Sequence, residues 1–78
     1  MDVLKDIFSS VLGIPAEKVT PELSPENTPA WDSLNAIVLV TEIEKAFNVK
    51  FGYDEAMAVK NFAGVIALVK SKVPDFHE

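Results

Sequence analysis

Trp31-Asp32-Ser33-Leu34-Asn35-Ala36-Ile37-Val38-Leu39-Val40-Thr41-Glu42-Ile43-Glu44-Lys45-Ala46-Phe47 lies within residues 30–51, the longest stretch of the chain with neither Gly nor Pro. The loop just ahead of it holds three evenly spaced prolines, Pro21, Pro25 and Pro29. That contrast sets a helix against a loop, with the boundary at Asp32. Aspartate is a favoured N-cap, because its carboxylate can accept from the first free amides of a helix. Ser33 then becomes the first helical residue. Its hydroxyl stands at the positive end of the helix dipole, beside a carboxylate and at the edge of a loop, where another protein can reach it.

A helical wheel turns about 100° per residue. Ala36, Leu39, Val40, Ile43 and Phe47 then share one side, which is expected to face a core. Leu34, Ile37, Val38 and Thr41 form a second stripe on the far side. A chain of 78 residues has little material to bury both faces of one helix. The second stripe therefore either packs under the long loop or is left for a partner.

Outward from this helix the pattern stays helical. Val3, Leu4, Ile7, Phe8, Val11 and Leu12 predict a helix over residues 2–12, with Asp2 as its cap and Gly13 as its left-handed terminator. Ser9 and Ser10 read as ordinary surface residues. Residues 13–32 form a long connection, tacked down by Ile14, Val19, Leu23 and Trp31. Asn48 suits the C-cap of the central helix. Gly52 allows a bend before a short helix over residues 54–59, where Met57 and Val59 read either as core or as the lining of a cavity. Asn61 caps a last helix over residues 61–73, with Phe62, Val65, Ile66, Leu68 and Val69 inward. Lys70 and Lys72 suit its C-terminal end, and Pro74 stops it before a short tail over residues 74–78. The expected fold is all-α: one small four-helix bundle domain over residues 1–78, of three longer helices and one short one.

Composition narrows the chemistry. With no cysteine, neither disulfides nor thiolate metal sites can support so small a core. No apolar run exceeds five residues, the length of 36–40, so no membrane span is expected. The acidic start lacks a signal-peptide pattern, and a cytoplasmic protein is the expectation. The net charge of −5 is carried entirely between Glu17 and Glu55, around Ser33. Nucleic acid needs the opposite sign and is excluded as an expected partner; basic protein surfaces fit better. Ser33 has no partner for hydrolase chemistry, since the one histidine, His77, lies in the tail and no Gly-x-Ser-x-Gly elbow is present. No enzymatic activity and no metal site are expected.

These features resemble one family, the acyl carrier proteins. The resemblance rests on Asp32-Ser33-Leu34, on the apolar helix closing at Glu44-Lys45-Ala46-Phe47, and on Leu12-Gly13-Ile14 and Val19-Thr20 at the family's order and spacing. It implies 4'-phosphopantetheine esterified to Ser33, with Asp32 supporting attachment. It also implies partners: a phosphopantetheinyl transferase, an acyl-loading ligase or acyltransferase, and downstream acyl-using enzymes. A monomer is expected. The resemblance suggests a partner face on Trp31, Leu34, Ile37, Val38, Glu42 and Glu44. Two departures stand out. Trp31 precedes the motif where many fatty-acid carriers have Leu-Gly-x; it either tacks the loop or flanks the arm. Asn35 and Val38 stand where those carriers usually have acids. Both departures point toward a specialised lipid, polyketide or cell-surface polysaccharide pathway. The alternatives are an aminoacyl or peptidyl carrier, such as a D-alanyl type, or an unmodified helical interaction module.

Overall fold

The computed structural model describes residues 3–74 and residue 76. Four helices follow in order: α1 Val3–Leu12, α2 Ser33–Phe47, α3 Tyr53–Ala58 and α4 Phe62–Lys72, with one 3₁₀ turn at Ala16–Lys18 in the long connection. Among the described residues all regular structure is helical. The expected cap at Asp2 and the tail residues Asp75, His77 and Glu78 lie outside the described residues.

Each boundary has a local cause. Leu4, Phe8 and Leu12 recur every four residues and are buried, which gives α1 its inner stripe. Gly13 ends it at φ +68°, where a β-carbon is disfavoured. The Gly13 and Ile14 amides both donate to the Ser9 carbonyl, at 2.9 and 3.2 Å. Ser9 is thus more than an ordinary surface residue: its hydroxyl donates to the Ile14 carbonyl and fastens the exit of α1. At the end of α2, Asn48 adopts the left-handed conformation at φ 55°, ψ 51°. The short helix starts at Tyr53 rather than at residue 54, because the Glu55 carboxylate reaches back to accept from the Gly52 amide at 2.8 Å. Asn61 and Val73 flank α4 rather than belonging to it.

The long connection is a built part of the molecule. The Asn27 side-chain oxygen accepts from the Ser24 amide at 3.0 Å and from the Thr28 hydroxyl at 2.8 Å, and its Nδ2 donates to the Glu22 carbonyl at 2.9 Å. That network lets Ser24 and Thr28 be buried without loss of partners. The loop also finishes α4. The Phe62 and Ala63 amides donate to the carbonyls of Leu23 and Pro21, at 2.8 and 3.1 Å. Asn61 Oδ1 accepts from the Gly64 amide at 2.8 Å, and the Asn61 carbonyl takes the Val65 amide. All four amides that open the helix are satisfied.

One core holds these pieces together. Phe8 is fully buried between Trp31 and Phe62, edge-on to both, with centroids at 5.1 and 4.9 Å. Val19, Leu23, Leu39, Ile43, Val65 and Val69 surround this aromatic stack. Val19, Leu23 and Trp31 act as tacks as expected, while Ile14 is half-buried against them. On α4 the inward stripe is narrower than the sequence suggested: Ile66 and Leu68 are only partly covered.

Candidate functional site

The site begins at the turn into α2. Asp32 has extended backbone, φ −100° and ψ −177°, and its Oδ1 accepts from the Asn35 amide at 2.9 Å. This is the N-cap expected from the sequence. The Asn35 side chain adds a second tie, its Nδ2 donating to the Ala30 carbonyl at 2.7 Å. A carboxylate at position 35 could not make that bond, because it has no proton to donate. Asn35 therefore belongs to the clamp that fixes the loop onto α2, a role that sequence reasoning missed.

Ser33, exposed, follows as the first residue of α2. Among the described residues none forms a hydrogen bond with its hydroxyl. It stands at the rim of an open-sided groove of about 410 Å³. Its walls come from Ala36, Leu39 and Ile43 of α2, Met57 of α3, and Val65 and Val69 of α4. Asp32, at the rim, is the one ionisable residue on the lining. The volume falls within the range of small-molecule pockets, about 300–1,000 Å³. Ala36 lies three residues after Ser33, on the same side of the helix, and its small side chain leaves space beside the hydroxyl. That Ala was the available sequence signal for the groove. Met57, 61% exposed, lines the cavity rather than filling the core.

The residues named for a partner face separate into three groups. Leu34 and Ile37 are 71% and 65% exposed, and Val38 is 38% exposed, so the second stripe of α2 is uncovered as one of its two readings required. Glu42 and Glu44 carry local duties. Glu42 pairs with Lys45 at 3.5 Å along α2, and Glu44 accepts from the Phe51 amide at 2.9 Å. Trp31 differs from these: it is 6% exposed, with its ring against Phe8. It tacks the loop to the core and lines the groove next to Ser33.

Among the described residues no group of three or more His, Cys, Asp or Glu side chains is placed to hold a metal ion, and no helix is long and apolar enough to cross a membrane. What the site offers is a reachable hydroxyl, a fixed carboxylate and an apolar groove.

Comparisons with known proteins point to one family. A family model described as a phosphopantetheine attachment site matches residues 2–69. Curated relatives include an acyl carrier protein of Guillardia theta, 31% identical over 70 residues that make up 90% of this chain and 86% of that one. Another acyl carrier protein, from Thermosynechococcus vestitus, is 30% identical over 73 residues, 94% of this chain and 90% of that one. The solution structure of a holo acyl carrier protein from Geobacter metallireducens superposes with a TM-score of 0.81 at 30% identity, covering 99% of this chain and 93% of that one.

Proposed function

The chain belongs to the acyl carrier protein family, and from that premise we propose that Ser33 bears its phosphopantetheine arm and that the groove beside Ser33 receives an aliphatic acyl cargo. The cofactor of the family is covalent 4'-phosphopantetheine, and the chain is a carrier rather than a catalyst. When attached, the arm's terminal thiol holds the acyl group as a thioester.

The residues of this chain fit that group. The observation that carries the reading is the exposed Ser33 at the first position of α2, on the rim of the apolar groove. A transferase supplies the chemistry of attachment, so the serine needs access rather than an activating base. Asp32 fixes the backbone around the serine and leaves one carboxylate oxygen free of the cap bond, available to support attachment. Once tethered, the cargo is offered to successive active sites at high effective concentration.

Acyl cargo is favoured over an aminoacyl group by the groove. An ammonium buried among Leu39, Val65 and Val69 would lose its hydration with no carboxylate inside to replace it. The exposed Leu34, Ile37 and Val38 serve as the partner face toward the transferase, the acyl-loading enzyme and the acyl-using enzymes. A dedicated pathway, for a specialised lipid, polyketide or cell-surface polysaccharide, is the reading that this apolar face supports, and the cytoplasm is the proposed compartment.

The test is to load the arm with an octanoyl and, separately, an alanyl group and to compare amide and methyl chemical shifts. Octanoyl is expected to perturb Leu39, Ile43, Val65 and Val69, and alanyl to leave them in place. Equal effects of the two, or none from octanoyl, would contradict the acyl reading.

A further inference from the structure

Among the buried apolar residues of the core, Trp31 alone carries a polar group in its side chain. An indole N–H can only donate, and a buried one normally finds an acceptor. Among the described residues none accepts from Trp31 Nε1. Yet among the described residues no buried side-chain nitrogen or oxygen lacks a partner. Both statements hold together only if Nε1 keeps a path to open space, although the ring around it is buried. The open space that Trp31 meets is the groove beside Ser33, which it lines.

The rest of the lining sharpens the point. Only Trp31, Asp32 and Ser33 bring side-chain nitrogen or oxygen to it. Asp32 is a cap that accepts from the Asn35 amide. The Ser33 hydroxyl becomes an ester oxygen once an arm is attached. The Trp31 N–H is then the one side-chain N–H or O–H donor on the lining among the described residues. It stands two residues ahead of Ser33, at the end of the groove where α2 begins. Ala36, Leu39 and Ile43 lead away from that end along α2.

We propose that Trp31 is a specificity-determining residue of the groove: its indole N–H donates to an oxygen carried by the acyl chain close to its thioester end. A saturated chain that covers the nitrogen strips it of water and returns nothing, whereas a carbonyl or hydroxyl oxygen takes the place of that water. A polar group held in apolar surroundings discriminates in this way, because the wrong ligand leaves it unpaired. A chain tethered through Ser33 leaves its thioester end nearest the Trp31 end of the groove. The N–H thus tilts the groove from fully saturated chains toward chains oxygenated near the thioester. The inference rests on the reading of Ser33 as the attachment point and of the groove as the place of the cargo.

Trp31 is the only tryptophan, so its indole N–H gives one isolated NMR signal. Added to the unloaded full chain, 2-heptanone is expected to move that proton downfield to saturation, in the wild type and in Ser33→Ala alike. The arm of the wild type is then loaded with octanoyl, 3-oxooctanoyl or 7-oxooctanoyl. The 3-oxo chain is expected to shift the indole proton downfield of its position with the bare arm and with the other two cargoes. The fraction of each cargo in the groove is read from the Leu39 and Val69 methyl signals. Two variants remove the donor: Trp31→Phe, and a synthetic chain whose indole is replaced by benzothiophene, which keeps the shape and exchanges N–H for sulfur. In both, occupancy by 3-oxooctanoyl relative to octanoyl is expected to fall about fivefold, the factor of one neutral hydrogen bond. The benzothiophene chain decides the matter if Trp31→Phe does not fold. An unchanged ratio, a 3-oxo shift no larger than that of octanoyl or 7-oxooctanoyl, or the same shift with the bare arm would overturn the proposal. Absence of a 2-heptanone shift overturns the donor with or without an arm, while a failure of loading shows in the mass and counts against Ser33 instead.

Discussion

Asp32 caps α2, and its proposed support of arm attachment is a second role that one substitution separates from the first. As a cap, its oxygen accepts from the Asn35 amide, and asparagine caps a helix about as well as aspartate. The proposed attachment role rests on the charge beside Ser33, which a neutral amide does not supply. Asp32→Asn is therefore expected to leave the unfolding midpoint in urea nearly unchanged while slowing arm attachment by the transferase. Asp32→Ala loses both roles and costs about 1 kcal/mol of stability as well. Equal loss of stability in the two variants would show that the charge, not the cap, holds this turn. Gly13 is the second position where one residue decides a local structure. Open space surrounds its missing β-carbon, so the cost of Gly13→Ala is set by the backbone at φ +68° alone. Destabilisation of about 1–2 kcal/mol is expected, read from the same denaturation curve.

Among the elements, the three longer helices and their caps at Asp32, Asn48 and Asn61 were legible in the chain, because stripe and cap agree at each of them. Helix α3 was only half legible. Its start at Tyr53 depends on a carboxylate three residues later rather than on an apolar stripe, and it buries nothing that a period could mark. The connection before α2 was legible as a loop with four tacks. Its hydrogen-bond network around Asn27 and its carbonyls over the start of α4 were not, since these depend on which distant amides the fold leaves unpaired. The carboxyl of Glu55 is held below the usual glutamate range, first by the Gly52 amide and then by Lys72. A lowered folded value means that its contribution to α3 is complete above the pKa of the unfolded chain and fades as pH falls through the folded one. An NMR titration of the Glu55 side chain is expected to give a midpoint below about 4.3, the value of a free glutamate. A midpoint at or above it would remove the carboxylate from the account of α3.

For the whole molecule, one aromatic stack joins α1, the loop and α4. Phe8 contacts both Trp31 and Phe62 and has no exposed surface. Phe8→Ala is expected to cost about 3–5 kcal/mol, close to the entire stability of many small domains. Thermal unfolding followed by circular dichroism would show a broad, early transition or none. Trp31 was the residue at which sequence reasoning stood between two roles. Burial could not be read from position 31 alone, because the ring is covered by Phe8, 23 positions away in the chain. The uncovered Leu34, Ile37 and Val38 posed the opposite question, and it resolves in favour of exposure because the loop packs toward α1 and α4 instead. The molecule thus spends its apolar residues on a core, a groove and an open stripe, and places Ser33 beside the groove.

That placement is tested most directly by mass. The full chain and its Ser33→Ala variant, both shown to be folded, are incubated with coenzyme A and a phosphopantetheinyl transferase of broad specificity. Intact mass is read first, and the wild-type product is then fragmented to locate the added group. A single phosphopantetheine-sized gain in the wild type, located at Ser33 and missing from Ser33→Ala, is the predicted result. A gain located at another hydroxyl, a gain that survives Ser33→Ala, or no gain with a transferase active on a control carrier would contradict the assignment of Ser33.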